Sequence, residues 1–192
     1  MRIIAGKWKG RTLEAPDGLA TRPLPDRIKQ SLFDWLGQDL SGLTVADVCA
    51  GSGGFGIEAA SRGASVAHLI EPGRHAIPVI RANLRQLGDP PAIRLHPRPF
   101  QTALPTLAGL DLVFADPPFP WFADEPALIA ELLRLAAATL AADGVVVIRG
   151  EAGTDLPEHP ELVERERRTY GRSWISLLMH APETPRISAA MP

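Results

Sequence analysis

Along this chain the apolar positions switch between short continuous runs and a rhythm of three to four residues, and the switches mark out its elements. From Arg2 to Ala15 short apolar pairs are broken by Gly6 and Gly10, which predicts a hairpin-like segment. Ile28, Leu32, Phe33 and Leu36 then recur at helical spacing and predict a helix from about Pro25 to Leu36. Beyond it, apolar runs near 43–49, 65–71, 92–96, 110–115 and 144–149 read as buried strands, with helical patterns near 55–62, 74–87, 99–107 and 125–140 between them. That alternation predicts an α/β fold: a mostly parallel sheet covered on both faces, with a ligand at the carboxyl ends of the strands. Leu162 to Arg168 and Ser173 to His180 flank the turn Tyr170-Gly171-Arg172 and predict an antiparallel finish, making seven strands in all. The segment from Pro182 to Pro192 lacks a periodic apolar face and is expected to be mobile.

Composition narrows the class without naming a chemistry. With 192 residues and 45% hydrophobic content the chain can bury a full core. Its organisation reads as a basic hairpin and helix over 1–40, an α/β domain over 41–181, and the tail. The net charge of −2 hides a basic N-terminal region, where Arg2, Lys7, Lys9 and Arg11 precede the first acid and Arg22, Arg27 and Lys29 follow. Such a patch suits phosphates, and ordinary solvated surface charge is the competing reading. Cys49 is the single cysteine and reads as a packing residue, and the five histidines show no ligand spacing, so no metal is expected. No long apolar run is present, and a soluble, cytoplasmic setting is expected.

Candidate chemistry begins at Asp116-Pro117-Pro118-Phe119, directly after the apolar run Leu110 to Ala115. An exocyclic NH2 on a nucleobase is a poor nucleophile because its lone pair is conjugated with the ring, so a site acting on it must hold it in place. Asp116 can accept one of its N–H groups and the Pro117 carbonyl the other. Phe119 can stack on the base, a contact worth about 1–3 kcal/mol in single-strand binders. Trp121 serves either stacking or packing. Taken alone, the tetrapeptide also fits a simple strand-ending turn.

A second signal lies upstream, where Leu43 to Val48 runs into Ala50-Gly51-Ser52-Gly53-Gly54-Phe55-Gly56. Gly51, Gly53 and Gly56 satisfy G-x-G-x-x-G, and Glu71 ends the next apolar run where a ribose-binding acid belongs, so a nicotinamide site is one reading. Asp47 argues against it. An acid four residues before Gly51 repels a pyrophosphate but suits the ammonium and sulfonium charges of S-adenosylmethionine. Such a base must leave its stack to reach a recessed methyl group.

Arg2-Ile3-Ile4-Ala5-Gly6 with Lys9-Gly10-Arg11, Arg22-Pro23 with Asp26-Arg27, Ser31-Leu32-Phe33, Ala50-Gly51-Ser52-Gly53 with Glu58-Ala59 and Ser61-Arg62-Gly63-Ala64, and Asp116-Pro117-Pro118-Phe119 together resemble the RsmD-like family of bacterial 16S ribosomal RNA guanine-N2-methyltransferases. The resemblance runs from residue 1 to about 180. It implies a Rossmann-like class I S-adenosylmethionine-dependent methyltransferase fold. It also implies methyl transfer to N2 of a guanine in 16S rRNA, within the small subunit or its assembly intermediate; separately, a monomer is expected. By matching position it places Asp47, Gly51, Gly53 and Glu71 at the cofactor, with Asp116 to Phe119 at the base; Ala50 and Ser52 of the same loop, and Asp116 as well, are also expected to touch the cofactor. It assigns Arg2, Lys7, Lys9, Arg11, Arg22 and Arg27 to RNA. Two departures from the pattern stand out: Glu71-Pro72-Gly73 lacks a second acid, and Pro97-Arg98-Pro99 replaces an Asp or Asn followed by Ala beside the adenine, leaving that contact to the Phe100 backbone N–H. The competing functions are an adenine-N6 DNA methyltransferase and an RNA-binding protein with impaired catalysis.

Overall fold

The computed structural model describes residues 1–15 and 25–182. Its strands are β1 (Thr44–Val48), β2 (Val66–Ile70), β3 (Ile93–His96), β4 (Leu110–Ala115), β5 (Leu140–Glu151), β6 (Leu162–Tyr170) and β7 (Ser173–His180). They form one sheet in the order β3-β2-β1-β4-β5-β7-β6. The first five strands pair in parallel, and β7 joins β5 and β6 in antiparallel fashion. The expected mostly parallel sheet with an antiparallel C-terminal hairpin is therefore present.

Helices cover both faces: α1 (Asp26–Leu36), α2 (Gly54–Ser61), α3 (Ala76–Gln86), α4 (Phe100–Ala103), α5 (Pro120–Asp124) and α6 (Pro126–Thr139). Alternate strand residues take opposite sides, which is why the central strands are apolar throughout. Val45, Leu112, Phe114 and Val147 pack with Leu32 and Phe33 of α1 and Phe55 of α2. Val48, Val113, Ala115 and Ile148 pack on the other side with Phe100, Ile129, Leu132 and Leu133. No helix among the described residues is long and apolar enough to cross a membrane.

Three elements depart from the periodicity reading. The helix expected over 99–107 is α4 followed by a tighter 3-10 turn, Leu104–Thr106, containing Pro105. A further helix, α5, follows the Pro-Pro turn; it starts on Pro120, where a missing N–H costs nothing, and buries Phe122 against Trp174. Strand β5 starts at Leu140 rather than near 144, because Leu110 pairs with Leu140 before the register shifts to Leu112 opposite Val145. The intervening residues form an irregularity that no alternating pattern announces.

The N-terminal segment is a hairpin, with Arg2 bridging Thr12 and the Ile3 N–H donating to the Arg11 carbonyl at 2.9 Å. It lies against α2. Ile3 and Leu13 are buried with Ile57 and Ala60, and the Lys7 N–H donates to the Ser61 carbonyl at 2.8 Å. Gly6 permits this approach, since a Cβ there would stand 1.8 Å from the Ser61 carbonyl oxygen. Beneath the hairpin the buried Glu58 carboxylate accepts the N–H groups of Ile4 at 2.8 Å and Ala5 at 3.0 Å. Lys29 Nζ at 3.1 Å and Arg62 Nε at 2.9 Å balance its charge. Lys29 is thus an internal counterion and is not part of a surface patch, a correction to counting it with the basic residues around it. Arg22 and the tail beyond Pro182 lie outside the described residues.

Candidate active site

The parallel register decides which loops meet. Val48 pairs with Ile70 on one side and Ala115 on the other, so Cys49, Glu71 and Asp116 leave three adjacent strands side by side. Cys49 turns the chain with a φ of 60°, and the Ala50 and Gly51 backbone follows it into α2. Its side chain packs against the core, as expected, and burial pushes its thiol pKa up.

The glycine loop is held from below and from the side. Asp47 Oδ2 accepts the Gly56 N–H at 2.8 Å, tying the first turn of α2 to the end of β1. A Cβ at Gly56 would lie 2.1 Å from Leu69 Cδ2 and 3.2 Å from Asp47 Cβ, so the helix approaches the sheet only with glycine there. Glu71 Oε2 accepts the Gly51 N–H at 2.8 Å, and its Oε1 accepts the Gly73 N–H at 2.7 Å. At the Gly73 departure from the family pattern the backbone N–H thus meets the acid, and a Cβ there would fall 2.8 Å from Glu71 Oε1, the movable end of that side chain. Above Gly51 the space is open, with no atom within 4 Å of where a Cβ would stand. Ser52 and Ala50 are buried in the loop, and the Ser52 carbonyl accepts from Asn83 at 3.1 Å.

Electrostatically the cleft is acidic. Burial raises the Asp47 carboxyl well above its usual range, and the like charges of Asp116 and Glu71 add to the effect. Such a cluster fits a ligand carrying positive charge and disfavours a pyrophosphate. Phe100 opens α4, where a backbone N–H has no intrahelical acceptor.

Asp116 continues the sheet by donating its backbone N–H to the Val48 carbonyl at 3.2 Å. The next carbonyls divide into two kinds. Those of Pro118 and Phe119 accept from Trp121 at 3.0 Å and Phe122 at 3.1 Å, whereas that of Pro117 accepts no hydrogen bond among the described residues. The Asp116 carboxylate and the Pro117 carbonyl are thus the acceptors this turn offers. Trp121 packs against the core with its ring 6.4 Å from that of Phe100, which is the packing role.

Arg149, at the end of β5, belongs to this site and was not singled out by the motifs. Its Nη1 lies 3.2 Å from Asp116 Oδ1 and 3.0 Å from Oδ2, and its guanidinium carbon stands 4.9 Å from the Phe119 ring centroid. The sequence held one signal for it, a lone cation closing the apolar run Val145 to Ile148. Burial raises the Asp116 carboxyl, and Arg149 counters that rise. Away from the cleft, Arg2, Lys7, Lys9, Arg11 and Arg27 are exposed on the hairpin and α1. Arg2 pairs with Asp26 at 2.7 Å. Arg2, Lys9 and Gln30 line a shallow cleft of about 280 Å³ together with Ile3, Ile4 and Gly10.

Comparison with known proteins gives consistent matches over this whole arrangement. Residues 1–179 match the family described as Conserved hypothetical protein 95. YlbH of Bacillus subtilis is 33% identical over 183 residues, covering 92% of this chain and 97% of its own. Ribosomal RNA small subunit methyltransferase D of Escherichia coli is 34% identical over 164 residues, covering 83% of this chain and 79% of its own. The solved structure of yhhF from Escherichia coli matches with a TM-score of 0.80 at 32% identity, over 94% of this chain and 97% of that one.

Proposed function

The chain belongs to the Conserved hypothetical protein 95 family and has the Rossmann-like class I methyltransferase fold, and on that premise we propose that it methylates N2 of a guanine in 16S rRNA of the small ribosomal subunit. The methyl group comes from S-adenosylmethionine, whose sulfonium supplies an electrophilic carbon. The observation that carries this reading is the pair of acceptors at Asp116 and Pro117, set on the strand next to the Glu71-anchored glycine loop.

In this reading Ala50 to Gly53, Asp47, Glu71 and the Phe100 N–H hold the donor. Asp116 and the Pro117 carbonyl each accept one hydrogen of the amine, which fixes the direction of its lone pair. Phe119 stacks on the extruded base. The acidic cleft lowers the cost of binding a cationic donor, and Asp116 accepts the hydrogen that the amine sheds. Arg2, Lys7, Lys9, Arg11, Arg22 and Arg27 contact phosphates and position the subunit or its assembly intermediate over the cleft.

The experiment is methylation of small subunits from a strain lacking the gene, with the product nucleoside identified by mass spectrometry. One N2-methylguanosine in 16S rRNA is the expected product. Methylated adenine in DNA as the sole product would favour the adenine-N6 alternative. Absence of donor binding by calorimetry would favour an RNA-binding protein without catalysis.

A further inference from the structure

We infer that Arg149 is a positioning residue of the active site, fixing the direction of the Asp116 carboxylate and carrying the Phe119 ring on the same guanidinium. The inference rests on the proposed role of Asp116 as acceptor of the base amine, and it deepens that role. Arg149 follows Ile148, which pairs with Ala115, so strand register alone sets the two side chains beside each other. A single nitrogen, Nη1, spans both carboxylate oxygens. A carboxylate has about four lone-pair sites, so this contact orients Asp116 while leaving acceptor capacity for an N–H of the substrate.

The same guanidinium also meets the aromatic ring of the turn. Its plane carries Phe119 at 4.9 Å, and its Nε is buried without a hydrogen-bond partner. The charges facing Asp116 are Arg149 from β5, Asp47 from β1 and Glu71 at the end of β2. Burial opposes ionisation of Asp116. Arg149 is the cation that favours it. Without Arg149 the carboxyl would hold its proton to higher pH and lose its capacity to accept the amine hydrogen.

Two readouts test the assignment. In protein labelled with carboxyl carbon-13 aspartate, the Asp116 resonance, assigned with Asp116→Asn, is titrated in wild type, Arg149→Lys and Arg149→Met. The midpoint is expected to rise by about one pH unit or more in Arg149→Met and by less in Arg149→Lys. The acidic limb of the kcat/KM profile on small subunits is expected to move in the same order. Circular dichroism checks folding, and Arg149→Lys carries the test if Arg149→Met does not fold. An Asp116 midpoint unchanged in both variants would overturn the inference, as would loss of rate with an unmoved pH profile. The titration needs neither RNA nor donor. Failure to methylate guanine would therefore end the functional reading while leaving this one to be decided by the titration.

Discussion

Lys29 Nζ lies 3.1 Å from Glu58 Oε2, and both side chains are closed to solvent. The pair joins α1 to α2, and the same carboxylate holds the hairpin through Ile4 and Ala5 and reaches Arg62, the residue just past the end of its own helix. Removing the acid would leave two buried cations without their counter-charge, Lys29 keeping only the Arg2 carbonyl, and two backbone donors without their acceptor. Glu58→Ala is expected to cost about 3–5 kcal/mol in chemical denaturation, since breaking a buried pair strands its partners. Amide exchange at Ile4 and Ala5 should quicken in the same variant. A loss under about 1 kcal/mol would show that the network contributes little.

Asp47 offers a test of charge against hydrogen bonding. Its folded pKa is raised well above the ordinary value, so the folded protein binds a proton more readily than the unfolded one. Its contribution to stability therefore falls as pH rises from about 3.9 to the raised value, and above that the buried charge is a constant cost. Asp47→Asn keeps an oxygen for the Gly56 N–H and drops the charge. Its melting temperature near pH 8 is expected to equal or exceed that of wild type, with the difference shrinking toward about pH 4. Asp47→Ala, which orphans the Gly56 N–H, should melt lower than both. Above the raised pKa, where Asp47 carries its charge, Asp47→Asn should also bind S-adenosylmethionine about tenfold or more weakly by calorimetry, through loss of attraction for its cationic groups. A lower melting temperature for Asp47→Asn near pH 8 would contradict the argument.

Lys7, Lys9 and Arg11 are exposed on the hairpin, with Lys7 Nζ 4.1 Å from the centre of the Trp8 ring. If each neutralises one phosphate, reversing all three charges should weaken binding to a 16S rRNA fragment and lower the slope of log affinity against log salt by about 3. An unchanged slope would make them ordinary surface charge.

The strands and the two loops were legible in the sequence for physical reasons. Burial on both faces makes the central strands continuous apolar runs, and Gly51, Gly53, Gly56 and Asp116-Pro117-Pro118-Phe119 are local in sequence. Contacts between distant residues were not legible. Nothing local says that Lys29 lies inside and Lys9 outside, because that depends on where α1 meets Glu58. Arg149 carried only a faint signal, a charge at a strand end, and its meaning came from the β4–β5 register. Helix α5 escaped because its five residues are too few to show a period, and the early start of β5 because an irregularity breaks the alternation.

The measurement that tests the central claim most directly is single-turnover methylation of undermethylated small subunits by Asp116→Ala beside wild type, with donor affinity measured by calorimetry on the same samples. Because the carboxylate is assigned to the base, the rate should fall by about a thousandfold or more, as for loss of a group that both orients and stabilises. Donor affinity should stay within about tenfold. Equal rates would contradict the account, and so would a rate loss explained entirely by lost donor binding.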